Sequence, residues 1–203
     1  MNKLSVQEVE CKLNGISDFE LSKPGRNKGS RGIILEEKLG ISNGFELKDL
    51  IDGELKSFTI GESIAVTMLN HCLSEIINDG VKFKNSKVYE KLKQIVYVAF
   101  TRTNVFVKSK TINVENSPFL YGKLEEDFNH ICSEIKKAYL NGKVLRTING
   151  SNKLLQIRTK ASKSTNGSYT PLRFGGVTLK DKGMAFYLRS SFGKEILDTE
   201  IIL

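Results

Sequence analysis

Apolar positions along residues 4–13 recur at helical spacing and the run stops at Gly15, which predicts a short helix. Residues 23–28, with Pro24 and Gly25, read as a loop. Residues 32–38 then carry Ile33, Ile34 and Leu35 at helical spacing, with Leu39 following, before Gly40 ends a second helix. From residues 45 to 60 the pattern shortens and alternates about the pair Asp52-Gly53, whose chemistry suits a tight turn, so strand, turn and strand are expected. Residues 64–69 predict a further strand, and residues 86–94 a short helix leading into the β-branched and aromatic strand 95–100. Leu124, Phe128, Ile131, Ile135 and Tyr139 form one stripe of a helix over residues 123–140, a pattern that speaks for core rather than function. Residues 154–160 and 184–189 read as strands joined by a long polar connection, and residues 190–197 as a closing helix. Helices and strands alternating in this way predict an α/β fold with a mixed central sheet flanked by helices.

A chain of 203 residues, 39% of them hydrophobic, can bury one substantial core, and with three prolines and no internal repeat it is expected to form a single domain over residues 1–203. No run approaches the roughly 18 consecutive apolar residues of a membrane span, and the first residues lack an apolar signal core. A soluble, cytoplasmic protein is the expectation. Cys11, Cys72 and Cys132 lie far apart without zinc spacing, so they read as reduced thiols. With only His71 and His130 available, imidazole chemistry has little to work with.

Charge changes the picture more. The net charge is +8, and its distribution is uneven. Between Ser151 and Ser190 stand Lys153, Arg158, Lys160, Lys163, Arg173, Lys180, Lys182 and Arg189, with Asp181 the one acid among them. A second basic cluster, Lys23, Arg26, Lys28 and Arg31, precedes an acidic segment. Solvated loop charges would explain such clusters blandly; two basic regions bracketing carboxylates are also what a binder of the phosphate backbone with a metal site requires.

The acidic segment is Asp49-Leu50-Ile51-Asp52-Gly53-Glu54-Leu55-Lys56. On a strand Glu54 and Lys56 point to one face while Leu55 turns to the other. An aspartate arriving across a short turn adds a second oxygen donor, and Mg²⁺ takes one or two carboxylates together with water and phosphate oxygens. Such a metal polarises a phosphate and acidifies a bound water, and the lysine offsets developing charge. Taken alone the spacing is common, and a surface strand carrying an ion pair is the plain alternative.

Four further segments accompany it: Lys28-Gly29-Ser30-Arg31-Gly32-Ile33-Ile34-Leu35-Glu36 with Leu39-Gly40, Lys91-Leu92-Lys93, Leu155-Gln156-Ile157-Arg158-Thr159-Lys160-Ala161, and Phe186-Tyr187-Leu188-Arg189 with Phe192. Together with Glu54-Leu55-Lys56 they resemble, in order, the motifs of the MutH-like family of PD-(D/E)xK endonucleases. The resemblance runs from Lys28 to Phe192 and covers most of the chain.

It implies a restriction-endonuclease-like fold and a Mg²⁺-dependent cut in double-stranded DNA, with a bacterial nucleoid as the setting. Glu36, Glu54 and an aspartate would be the metal acids, with Lys56 and Lys91 the catalytic basic residues. Both Asp49 and Asp52 are candidates, because the family's usual aspartate position is occupied here by Leu47; Asp49 is preferred, since Asp52 beside Gly53 is explained by turn chemistry. Glu37 adjoins Glu36, which holds the motif place after Leu35. Arg158 and Tyr187 would face the bases, and Lys28, Lys160 and Arg189 the phosphates. Thr159 stands where the family has proline on the recognition surface. The implied activity is that of a type II restriction enzyme cutting both strands of a short palindrome, as a homodimer or by two sequential nicks, GATC being the candidate. The alternatives are a strand-nicking enzyme activated by mismatch-repair partners, and a catalytically silent DNA-binding module. Both catalytic versions require Glu36, Glu54 and Lys56 to converge on one site, whereas a silent module would have lost metal carboxylates.

Overall fold

Ser5 opens the first helix because it can satisfy an amide that the helix itself leaves without a partner. Its side chain accepts from the Glu8 N–H at 3.3 Å while Glu8 Oε2 accepts from the Ser5 N–H at 2.7 Å, a reciprocal capping box. In this computed structural model, residues 3–15, 30–41, 49–160, 171–174 and 177–198 are described. The elements are α1 (Val6–Asn14), α2 (Ser30–Leu39), β1 (Glu54–Thr59), β2 (Ile64–Met68), α3 (Lys87–Leu92), β3 (Gln94–Phe100), β4 (Phe106–Asn113), α4 (Pro118–Leu140), β5 (Ile148–Asn149), β6 (Leu155–Thr159), β7 (Pro171–Phe174), β8 (Val177–Lys182), β9 (Met184–Leu188) and α5 (Ser190–Asp198).

The chain divides into two compact units. One holds Met1–Ile64, Lys91–Asn116 and Ser190–Leu203, the other Ala65–Glu90 and Ser117–Arg189. The fold is mixed α/β, with helices flanking one mixed sheet and one further sheet whose β6 runs antiparallel to its neighbours.

In the first unit β3 is the central strand, parallel to β1 and antiparallel to β4. Strand alternation divides its side chains between two layers. Leu55, Val96, Val98 and Phe100 turn to the face covered by Val6, Val9 and Leu13 of α1 and by Leu35 and Leu39 of α2, and all of these are buried. On the opposite face Glu54 pairs in register with Ile95, and Lys56 with Tyr97. There Tyr97 meets Phe58 edge-on at 6.4 Å and Phe192 of α5 at 6.2 Å.

In the second unit the sheet order is β2-β9-β6-β5, and β7 and β8 form a separate antiparallel pair. Phe128 of α4 stacks on Phe186 of β9 at 6.2 Å. The Asp127 carboxylate of α4 is fully buried, accepting the Leu154 and Leu155 N–H groups at 2.8 Å each, and so pins the start of β6.

The helices expected near residues 4–13, 32–38, 86–94, 123–140 and 190–197 are present as α1 to α5, and the strands at 64–69, 95–100, 154–160 and 184–189 as β2, β3, β6 and β9. Of the hairpin expected over residues 45–60, the second strand is β1; residues 42–48 lie outside the described residues, as does Lys28 with the loop at 23–28. Strand β4 has no counterpart in the sequence reading, and β7 with β8 occupies part of what reads as a polar connection.

Gly53, immediately before β1, sits where no side chain fits. A Cβ there would lie 2.7 Å from Val6 Cγ2 and 2.8 Å from the Gln94 carbonyl oxygen. Gly53→Ala should therefore lower stability by about 1–3 kcal/mol, measured by urea denaturation. Gly122→Ala in α4, where nothing lies within 4 Å, should be neutral or stabilising by up to about 1 kcal/mol. Equal effects of the two changes would contradict this packing.

Candidate acid and lysine site

Helix α2 ends in a Schellman motif. The Ile41 N–H donates to the Glu36 carbonyl at 2.8 Å and the Gly40 N–H to the Glu37 carbonyl at 3.0 Å, with Gly40 in the left-handed region at φ +74°. This closure fixes the backbone of Glu36 at the last turn, where its side chain is half-buried and interacts electrostatically with Asp49, Lys56 and Glu54. Glu37, one residue on, is exposed.

Glu54 begins β1 and its side chain is wholly inaccessible to solvent. A carboxylate so buried requires compensating donors, and two lysines supply them. Lys56 Nζ lies 2.6 Å from Glu54 Oε2, and Lys91 Nζ, from the last turn of α3, lies 2.6 Å from Glu54 Oε1. The Lys56 ammonium also reaches Asp49 Oδ2 at 3.1 Å, and that same oxygen accepts the Leu55 N–H at 3.2 Å. Side-chain exposures of 23% for Lys56, 21% for Lys91 and 28% for Asp49, against none for Glu54, put Glu54 at the floor of a partly open cluster.

Asp52 does something else. Its Oδ1 accepts the Val6 N–H at 2.8 Å, one of the amides at the start of α1 that lack a helical partner. Asp49, not Asp52, is thus the aspartate beside Lys56 and Glu54.

Electrostatics follows from this crowding. Burial pushes the Glu54 carboxyl above its ordinary value; Asp49 reinforces the shift while Lys56 and Lys91 oppose it. Burial also raises Glu36, with repulsion from Asp49 and Glu54 adding to it and Lys56 opposing. Asp49 is held low despite its burial, because the Lys56 charge and its hydrogen bonds outweigh desolvation. Lys56 is held above the usual lysine value: burial works against its charge, and attraction to Glu54 and Asp49 more than offsets that.

Of the other candidate residues, Lys28 lies outside the described residues and the rest belong to the second unit. Arg158 lies with its guanidinium 4.3 Å from the centre of the Tyr187 ring, and its Nε is buried without a hydrogen-bond partner. Burial raises the Tyr187 phenol, opposed by Arg158. Thr159 and Lys160 are exposed at the end of β6, and Arg189 is half-buried after β9. Cys72 and Cys132 are buried free thiols, both raised by burial, Cys132 to about 12, which suits inert core residues.

Two contributors escaped the sequence reading. The Leu55 backbone N–H orients Asp49, which only the local chain path reveals. Arg31, noted there for charge alone, joins α2 to the sheet through Thr59 Oγ1 at 2.5 Å and Asn104 Oδ1 at 2.7 Å, with its guanidinium over Phe100.

Chemically, the cluster offers hard oxygen donors and two ammonium groups. Among the described residues no three His, Cys, Asp or Glu side chains stand close enough to hold a metal ion in this arrangement, in which Lys56 Nζ bridges Asp49 and Glu54. The position is nonetheless suited to a cation, since an ammonium group already occupies it, and all-carboxylate donors suit Mg²⁺. No protein-family model matches the chain, and no curated protein matches it either.

Because Glu36 is raised, its ionisation costs the fold free energy. Relative to the unfolded chain the fold shifts this group toward protonation, so its contribution to stability is complete below the ordinary glutamate value of 4.5 and is lost as pH rises through the higher folded value. Glu36→Gln should therefore raise the melting temperature at neutral pH, the gain shrinking as pH falls toward 4.5. A variant no more stable than the parent at neutral pH would refute the strained acid.

Proposed function

We propose that the chain is a Mg²⁺-dependent DNA endonuclease of the PD-(D/E)xK, MutH-like type, hydrolysing phosphodiester bonds in double-stranded DNA as a type II restriction enzyme. One observation carries the reading: a buried glutamate on a strand, an aspartate from the preceding loop and a glutamate from a helix end interact with one another and with Lys56, while Lys91 pairs with the buried Glu54. A surface strand with an ordinary ion pair would not bury Glu54 or crowd three acids so closely that Glu36 and Glu54 are both raised. The intact acids and lysines also speak against a module that has lost its chemistry.

Asp49 and Glu54, with Glu36, are the residues that would hold Mg²⁺, which when bound supplies Lewis-acid polarisation of the phosphate and a water of lowered pKa. Lys91 fixes one oxygen of Glu54 and leaves the other to Lys56, which Asp49 also meets. Lys56, kept charged by its neighbours, is the group placed to offset negative charge developing on the phosphate. On the DNA side, Arg158 is the candidate reader of guanine O6 and N7, and stacking on Tyr187 reduces the freedom its planar fork would otherwise lose on binding. Lys28, Lys160 and Arg189, with Thr159 beside Arg158, are the candidate backbone and recognition contacts. Cutting both strands of a palindrome such as GATC with a one-site chain calls for a homodimer on DNA or for two sequential nicks. No helix among the described residues is long and apolar enough to cross a membrane.

Unmethylated plasmid incubated with the protein and Mg²⁺ should yield discrete linear fragments. Glu54→Gln and Asp49→Asn should each slow cleavage by about a hundredfold or more while DNA binding in a gel-shift assay persists. Asp52→Asn should cut at near the parental rate. Fragments in the absence of any divalent ion, or unimpaired cleavage by both Glu54→Gln and Asp49→Asn, would refute the proposed site; open circles alone would shift the reading to a nicking enzyme.

A further inference from the structure

The cation position between Asp49 and Glu54 already has an occupant that belongs to the chain. We propose that Lys56 is the resident cation of this site, and that a divalent ion enters by exchange with its ammonium group, which is thereby released to the open side of the cluster. The inference rests on the reading of Asp49 and Glu54 as divalent-ion ligands and adds how that site is kept before the ion arrives.

Three observations support it. Lys56 Nζ bonds Glu54 Oε2 at 2.6 Å and Asp49 Oδ2 at 3.1 Å, so both carboxylates point at one cation. These distances suit an ammonium group, and an ion set between the same two oxygens at the roughly 2.0–2.1 Å that Mg²⁺ needs would fall on the ammonium itself, so the two cations cannot hold that position at once. Second, the acids are anchored independently of the lysine. Glu54 is fully buried and its Oε1 is held by Lys91 at 2.6 Å, and Asp49 Oδ2 takes the Leu55 N–H at 3.2 Å. Removing the ammonium would leave two fixed carboxylates facing a gap, which is an uncompensated charge and hence a cation site. Third, the lysine is the movable partner: its side chain is 23% exposed and its four-carbon stem is flexible, while Glu54 is not exposed at all.

Two consequences follow. The acids are held together without metal, which removes the need for an ion during folding. And the ammonium that offsets charge on the phosphate becomes available only when an ion has displaced it, so ion entry and readiness of the lysine are thermodynamically linked.

Binding of Mn²⁺, followed by loss of the free-ion paramagnetic resonance signal, tests this without any substrate. Lys56→Met should bind Mn²⁺ about tenfold or more tighter than the parent. Lys91→Met should gain distinctly less, because Lys91 sits on Glu54 Oε1, away from the oxygen that Lys56 shares with the gap. In the unaltered protein, trace acetylation read peptide by peptide should show the Lys56 amine more reactive with Mn²⁺ than without, a readout that does not depend on any variant folding. Equal or weaker Mn²⁺ binding by Lys56→Met, an equal gain in Lys91→Met, or Lys56 reactivity unchanged by the ion would overturn the exchange while leaving the metal site standing. No Mn²⁺ binding by either parent or Lys56→Met would overturn the exchange and the metal reading together.

Discussion

Everything at the candidate site depends on the burial of one carboxylate. Glu54 opens a strand in the interior of its unit, with no solvent to carry its charge. A lone buried carboxylate costs several kcal/mol, so the surrounding chain must supply positive partners, and Lys56 and Lys91 are those partners. Strand alternation puts Lys56 on the face of Glu54, the last turn of α3 delivers Lys91, and the loop before β1 brings Asp49 within reach of Lys56.

The arrangement is one that stability alone would not select. Replacing a buried ion pair by apolar groups is often neutral or favourable, and burial raises both Glu36 and Glu54 above the ordinary glutamate value. Acids pressed together against their own repulsion are characteristic of sites whose use lies in binding a cation or moving a proton. The neighbouring scaffold is closely packed: the Schellman closure of α2, the exclusion of any side chain at Gly53 and the aromatic contacts of Tyr97 all constrain the elements that carry the cluster.

Much of this was legible before any coordinates. The capped helices and the β-branched core strand β3 announce themselves because their periodicity and termini agree, as with the apolar stripe of α1 and the Gly40 stop of α2. Strand β4 did not. It is an edge strand whose Lys108 and Lys110 look like solvated loop, and its turn relies on Asn104 at φ +68° instead of an Asn-Gly or Asp-Gly pair. At the site, the Glu54 and Lys56 pairing followed from a period of two, but the choice between Asp49 and Asp52 rested on turn chemistry alone. What decides it is a tertiary bond from the start of α1 to Asp52 across 46 residues of sequence, which no local pattern encodes. The burial of Glu54 was likewise invisible, since it depends on Lys91 arriving from another element.

The central claim is that Asp49 and Glu54 face a position made for a divalent cation. Its most direct test is anomalous diffraction at the manganese edge from crystals soaked in Mn²⁺. The account predicts one strong peak bonded to Asp49 Oδ2 and Glu54 Oε2, with the Lys56 side chain moved away from both. Anomalous density confined to other carboxylates, with Lys56 still bridging this pair, would contradict it.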